Sequence, residues 1–283
     1  MKKKDLIFYL ALVIFIFFGV RTIFKPDQAA APSLQIPANT ESVVATVPKI
    51  EQKKEPVESA AATSSTVIEI DNQPSEIAKT SAIIATSTIL LNVDFTSQAP
   101  LAEWSDLRQQ DGCEEASALM AVRWAKGLGA LTKAEAKKEI LAISTFEENN
   151  YGNYIDTSIA DTLKIIIQEY FGYQKAILKK NSSLEEIKDE LNNGNVLILP
   201  LDGKKLKNPN FKNGGPERHN LVIRGYDPVT HEFITNDPGT RKGDGYRYPE
   251  KIIDAAWRDY PTGDHLPIAG VKKNMIVVQA AKD

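Results

Sequence analysis

The chain has 283 residues, 42% apolar and 25% charged. That fits one globular domain of up to about 200 residues with additional chain, and excludes collagen, coiled coil and disorder as descriptions of the whole. Thirty-four basic against 37 acidic residues leave a formal charge of −3, and because residues 1–25 carry +4 the remainder is acidic at −7. An acidic body without a basic block is not a nucleic-acid binder.

After Lys2, Lys3, Lys4 and Asp5, an apolar run extends from Leu6 to Val20 and continues past Arg21 to Phe24. The basic residues ahead of this run predict export of the rest of the chain, either behind a retained signal anchor (residues 1–25) or, in the alternative, as a secreted protein after cleavage near Ala29-Ala30-Ala31. Arg21, Lys25 and Pro26 separate that small-residue site from the apolar run, so the anchor is the preferred reading, with the N-terminus cytoplasmic and the body extracytoplasmic at the cell membrane. Residues 26–88 are rich in Ala, Pro, Ser, Thr, Gln, Glu and Lys and read as a low-complexity linker. Two patches in that region, Thr66 to Ile70 and Ser81 to Leu91, are β-branched enough for edge strands.

Residues 89–283 form the body, whose order of elements reads as α+β. A strand over Ile89 to Val93 leads into a turn-rich loop. The spacing of Cys113, Ala116, Ser117, Met120, Ala121 and Trp124 predicts a helix from Gly112-Cys113 to about Ala125, closed by Gly127. Thr132 and Glu135 have capping-box spacing ahead of a helix to about Ile143. A third helix is expected from about Asp156 to Phe171, and a fourth after Ser182 or Ser183, ending near Gly194. Strands are expected over Val196–Pro200, His219–Tyr226, Glu232–Asn236, Tyr246–Tyr248 and Met275–Val278, with a helix from Pro249 to Trp257.

Cys113 is the only cysteine, which excludes an intramolecular disulfide and a cysteine-rich zinc site. A lone cysteine is more often a small buried apolar residue than a nucleophile. Against that stand its exported context and its place in the first turn of a helix, where free N–H groups and the helix dipole favour a thiolate. His219 is the best base of three histidines, alternating with Leu221 and Ile223 on the face expected to point inward. Pairing Tyr226 with His231 sets His219 opposite Pro238, within reach of Asn236 or Asp237 as the third group. His231, beside the turn, and His265, in a Pro- and Gly-rich loop, read as surface residues. The oxyanion donors are the Cys113 N–H and a side-chain amide from Gln98, Gln109 or Gln110. No metal or cofactor is expected: there is no H-E-x-x-H, and the loop from Asp237 to Gly245 misses EF-hand spacing.

The segments Leu91-Asn-Val-Asp-Phe-Thr-Ser-Gln98, Trp104, Asp111-Gly-Cys-Glu-Glu-Ala-Ser117, His219-Asn-Leu-Val-Ile-Arg-Gly-Tyr-Asp227 and Asn236-Asp237-Pro238 together resemble the bacteriocin-processing peptidase family. These are papain-like cysteine peptidases that remove double-glycine leaders; the likeness is greater to their stand-alone bacterial relatives and covers roughly residues 89–283. The resemblance implies a papain-like fold with a helical half carrying the nucleophile and a C-terminal antiparallel sheet. It also implies Cys113 as nucleophile, His219 as general base, Asp237 as its orienter and Gln98 as oxyanion amide. The sequence departs from the family pattern in three places. Glu114 and Glu115 come after the cysteine where Gly and Pro are usual, and oppose thiolate formation. Asn220 replaces an aromatic after the histidine. Gln98 lies 15 residues before Cys113, which keeps Gln110 as a rival. There is no Walker A sequence or set of exporter helices.

The reading that results is a membrane-tethered extracytoplasmic cysteine peptidase acting on a peptide or protein substrate through a thioester, with its oligomeric state open. A catalytically silent peptide- or cell-wall-binding module and a cell-wall amidase are the rivals, which fold alone does not separate.

Overall fold

The computed structural model describes residues 87–281, so the expected anchor, most of the linker and the patch at Thr66 to Ile70 lie outside the described residues. Among the described residues no helix is long and apolar enough to cross a membrane.

The framework is an antiparallel sheet of seven strands: β1 (Ile89–Leu90), β2 (Ala176–Lys179), β3 (Val196–Leu201), β4 (His219–Asp227), β5 (Glu232–Asn236), β6 (Tyr246–Pro249) and β7 (Met275–Val278). Their order is β2-β7-β3-β4-β5-β6, with β1 paired to β4. Every residue of β3 is buried, because each face of the sheet has its own core. Val196, Ile198, Val222, Ile276 and Val278 point into one core. Leu197, Leu199, Leu201, Leu221, Ile223 and Val277 point into the other.

After α1 (Leu107–Gln110), which lies outside it, the first core is covered by α2 (Cys113–Ala125), α3 (Lys133–Tyr151) and α4 (Ile159–Asp161), the last continuing as a π-helix over Thr162–Tyr170. The second is covered by α5 (Leu184–Asn192) and α7 (Glu250–Ala256), with α6 (Gly203–Leu206) beside it. Helices and an antiparallel sheet make this an α+β fold, but the helices lie on both faces instead of forming one helical half.

Local sequence explains most element ends. Thr132 with Glu135 and Ser183 with Glu186 form capping boxes. The helix expected to stop near Ile143 instead runs to Tyr151. Its polar end interrupts the apolar period but contains no breaker before Gly152, which closes it at φ 75°. The helix expected from Asp156 starts at Ile159, after Ser158 caps it. Strand β2 has no counterpart among the expected elements, and the strand expected over Ile89 to Val93 is confined to Ile89–Leu90.

The β4–β5 hairpin also differs from its expected register. Pro228 to His231 form a four-residue loop, held by Asp227 Oδ1, which accepts from the N–H groups of Val229 and Thr230. Tyr226 therefore pairs with Phe233 rather than His231. A bulge between Ile223 and Gly225 then recovers one residue, so that Val222 pairs with Asn236.

Candidate active site

Cys113 is the first residue of α2, joined through Gly112 to α1 and Asp111. A Cβ on Gly112 would lie 2.7 Å from the Arg108 carbonyl, so glycine allows the two short segments to pack this closely. The helix does not bury a single stripe. Glu114, Glu115 and the residues from Ala116 to Val122 are all buried along with Cys113. The thiol donates to Glu114 Oε2 at 2.9 Å, and the nearby Asn220 backbone N–H favours its charged form. Burial pushes the thiol pKa well above its ordinary value, and the charges of Glu114 and Glu115 add to the rise, outweighing the Asn220 N–H. The dipole-favoured thiolate expected from position alone is opposed by these surroundings.

His219 begins β4, at the end of the sheet, where it pairs with Leu201 of β3. Its Nε2 lies 2.8 Å from Asp237 Oδ1, and the ring meets Phe211 edge to face at 5.3 Å. The β5 ladder ends at Asn236, so Asp237 leaves it with its side chain on the His219 side. Gly239 lies against the ring: a Cβ there would be 2.9 Å from His219 Cε1. The expected facing of Pro238 and His219 is thus replaced by a close approach of Gly239. Asp237 Oδ1 also accepts from the Gly239 N–H at 3.0 Å. Its Oδ2 accepts from Tyr248 OH at 2.5 Å and Asn208 Nδ2 at 3.4 Å. Burial alone would raise Asp237, but His219 and these donors hold its carboxyl below the ordinary value. Asn236 turns to the other face, where its Nδ2 donates to the Val93 carbonyl at 2.9 Å.

Gln98 lies beside the start of α2, but its amide nitrogen donates to the carbonyls of Gln109 at 3.1 Å and Gln110 at 2.7 Å. Both amide hydrogens are therefore engaged, unlike a donor held free for an oxyanion. The Gln109 amide faces Glu103, and Gln110 is exposed. The Cys113 N–H, in the unpaired first turn of α2, remains as a donor beside the sulfur. Among the described residues no hydrogen bond joins the thiol to the imidazole.

His231 and His265 are exposed, each beside acidic groups. His265 Nδ1 lies 3.1 Å from Asp156 Oδ2, and Asp264 completes a cluster of possible ligand atoms. Arg218 Nε stands 3.4 Å from the same Asp156 oxygen.

A family model described as Peptidase_C39 like family matches residues 90–263. The chain belongs to the Peptidase_C39-like family. This membership fits a papain-like α+β fold and directs the chemistry of the Peptidase_C39-like chain towards cysteine-dependent cleavage of peptides. A crystal structure from Bacillus anthracis described as that of a C39-like peptidase is similar at 16% identity and a TM-score of 0.45, over 69% of this chain and 100% of that one. A search of curated proteins returns no match.

Tyr248, Asn208, Tyr260, Phe211 and Gly239 carry no signal in the sequence. They enter the site from separate loops and strands, with no local motif to mark them. Glu114 does carry one, as a charge next to the cysteine.

Proposed function

We propose that this chain is a cysteine peptidase of the stand-alone bacteriocin-processing type, tethered to the membrane by residues 1–25 and displayed outside the cytoplasm by residues 26–88, with residues 89–283 as its peptidase domain. The observation that carries the reading is the His219–Asp237 pair at 2.8 Å, together with a cysteine at a helix start that Glu114 and Tyr260 link to Asn220, the residue after His219. In this mechanism Cys113 attacks the peptide carbonyl and forms a thioester. His219 protonates the leaving amine and then takes a proton from the water that hydrolyses the thioester, and Asp237 orients and stabilises the imidazolium. The oxyanion falls to the Cys113 N–H, with Gln98 contributing only if it releases one of its carbonyl partners on substrate binding.

The buried, raised thiol favours one second reading, a catalytically silent module that binds peptide or cell wall. A peptidyl vinyl sulfone at neutral pH separates the two. The peptidase should acquire one adduct, mapped to Cys113 by mass spectrometry and absent from Cys113→Ala. No adduct at any pH between about 6 and 10, a range spanning the ordinary thiol pKa, identifies the silent module. Protease added to intact spheroplasts should remove the body, and full protection of residues 89–283 would end the tethered topology.

A further inference from the structure

One ionisable group besides those already assigned touches the reacting sulfur. Glu114, only 2% exposed, accepts the thiol proton's hydrogen bond on Oε2 and the Tyr260 hydroxyl on Oε1 at 2.5 Å. That hydroxyl in turn accepts from Asn220 Nδ2 at 2.7 Å. The contacts thus run as one chain from Sγ through Glu114 and Tyr260 to Asn220, the residue after His219. Its members come from α2, from β4 next to His219, and from the loop after α7. Both carboxylate oxygens are fixed by donors, and one of those donors is the thiol.

Resting on the reading of Cys113 as nucleophile, we infer that Glu114 is the base that removes the thiol proton, leaving His219 to serve the leaving amine and the water. The cycle balances. In acylation the proton moves from Sγ to Glu114 as sulfur bonds to the carbonyl carbon; the C–N bond then breaks as protonated His219 gives its proton to the amine. In deacylation neutral His219 takes a proton from water as the hydroxide adds to the thioester. The C–S bond breaks, and protonated Glu114 returns its proton to the sulfur. Glu114 ends ionised and His219 protonated, as they began.

The surroundings suit that role. Burial pushes Glu114 up to about 7, with Asp156 adding to the rise and the Cys113 and Tyr260 donors opposing it. A base of that strength works near neutral pH. The other charged groups facing this region are Glu115 on the same helix, Glu147 from α3 and Arg218, which is bridged to Asp156. Hydrogen bonding from the thiol runs to Glu114, and among the described residues none runs to the imidazole.

Glu114→Gln keeps the size and an acceptor oxygen but cannot take a proton. The rate of Cys113 alkylation by a neutral peptidyl vinyl sulfone is measured against pH on the full-length protein. The native protein should show a rate limb near pH 7, where Glu114 titrates. In Glu114→Gln that limb should vanish and the rate at about pH 7.5 fall about a hundred-fold, recovering only at high pH. Tyr260→Phe, which removes a donor to the carboxylate but leaves the base, should move the limb upward by a measurable step. It gives an independent readout if Glu114→Gln fails to fold. A Glu114→Gln protein that labels as fast as the native one or faster would make the carboxylate a brake and overturn the inference, as would an unmoved limb in Tyr260→Phe. If the native protein is not labelled at any pH, the nucleophile reading falls and this inference falls with it. Labelling with an identical profile in the variants overturns the inference alone.

Discussion

Asp237 and Glu115 are both fully buried carboxylates within the same domain, yet their proton affinities shift in opposite directions. Asp237 receives His219, Tyr248, Asn208 and the Gly239 N–H on its two oxygens, and its pKa lies below the ordinary value. Glu115 accepts from Ser144 at 2.7 Å on one oxygen, while its other oxygen has no partner. Burial, together with the charges of Glu147 and Glu114, pushes it well above the ordinary value. Burial is common to both, so the donors decide which carboxyl keeps its charge. The strand side of the site is thus built to hold a negative charge, whereas on the helix side Glu115 is built to hold its proton.

The largest effect expected from breaking this contrast is at Asp237. Asp237→Asn keeps the shape but replaces an anion with an amide, which orients the ring without stabilising the imidazolium. Turnover of a cleaved peptide should fall about 10³- to 10⁴-fold, as loss of tautomer and charge control does in acyl-transfer triads, while the circular dichroism spectrum stays native. Asn236→Ala should cost far less, because Asn236 serves the Val93 carbonyl on the other face. The reverse ranking would mean that the wrong residue has been paired with His219.

Tyr248→Phe makes a smaller breach. It removes the hydroxyl donated to Asp237 Oδ2 while Asn208, the Gly239 N–H and His219 remain. A lost hydrogen bond to a buried charge costs about 1.5–3 kcal/mol, so the midpoint of urea unfolding should fall accordingly. Turnover should drop about ten-fold, because the remaining donors still keep Asp237 ionised. Unchanged stability would show that the hydroxyl contributes nothing to the carboxylate's environment.

The elements legible in the sequence are those set by local chemistry. The capping boxes at Thr132 and Ser183, the start of α2 at Cys113 and the strands Glu232–Asn236 and Met275–Val278 all depend on residues within a few positions of one another. The four-residue β2 offers too short a pattern to mark a strand, and α3 outruns its apolar period because helix propensity and a missing breaker carry it to Gly152. Hairpin register depends on a loop length and a bulge that no single residue announces. The nearness of His219 and Asp237 survives that difference in register because the paired strand ends at Asn236 and frees the next side chain. Tyr260, 146 positions from Glu114, has no place beside the cysteine until the fold supplies it.

The smallest expected effect tests the helix side through stability alone. Glu147 lies in α3 at the edge of the buried acidic group, accepting from Thr157 at 3.0 Å on one oxygen, with the other unpartnered. Burial pushes its pKa up to about 8, with Thr157 opposing and Glu114 adding to the rise. A carboxyl whose folded pKa lies above its unfolded value binds its proton more tightly in the folded state. The native protein therefore gains stability from this group as pH falls from about 8 towards the ordinary range near 4.5, and loses it as pH rises through about 8. Glu147→Gln preserves the acceptor for Thr157 and cannot ionise, so it removes the loss. Its melting temperature should exceed that of the native protein by roughly 2–6 °C at about pH 8.5, corresponding to about 1–2 kcal/mol, and the gap should close by about pH 5. Glu114 and Glu115 still titrate in the variant, so some pH dependence persists. A gap equally large at both pH values would trace the gain to packing rather than charge. No gap at the alkaline pH would mean that Glu147 ionises in the folded protein without cost, and the contrast between the two sides of the site would then rest on Glu114 and Glu115 alone.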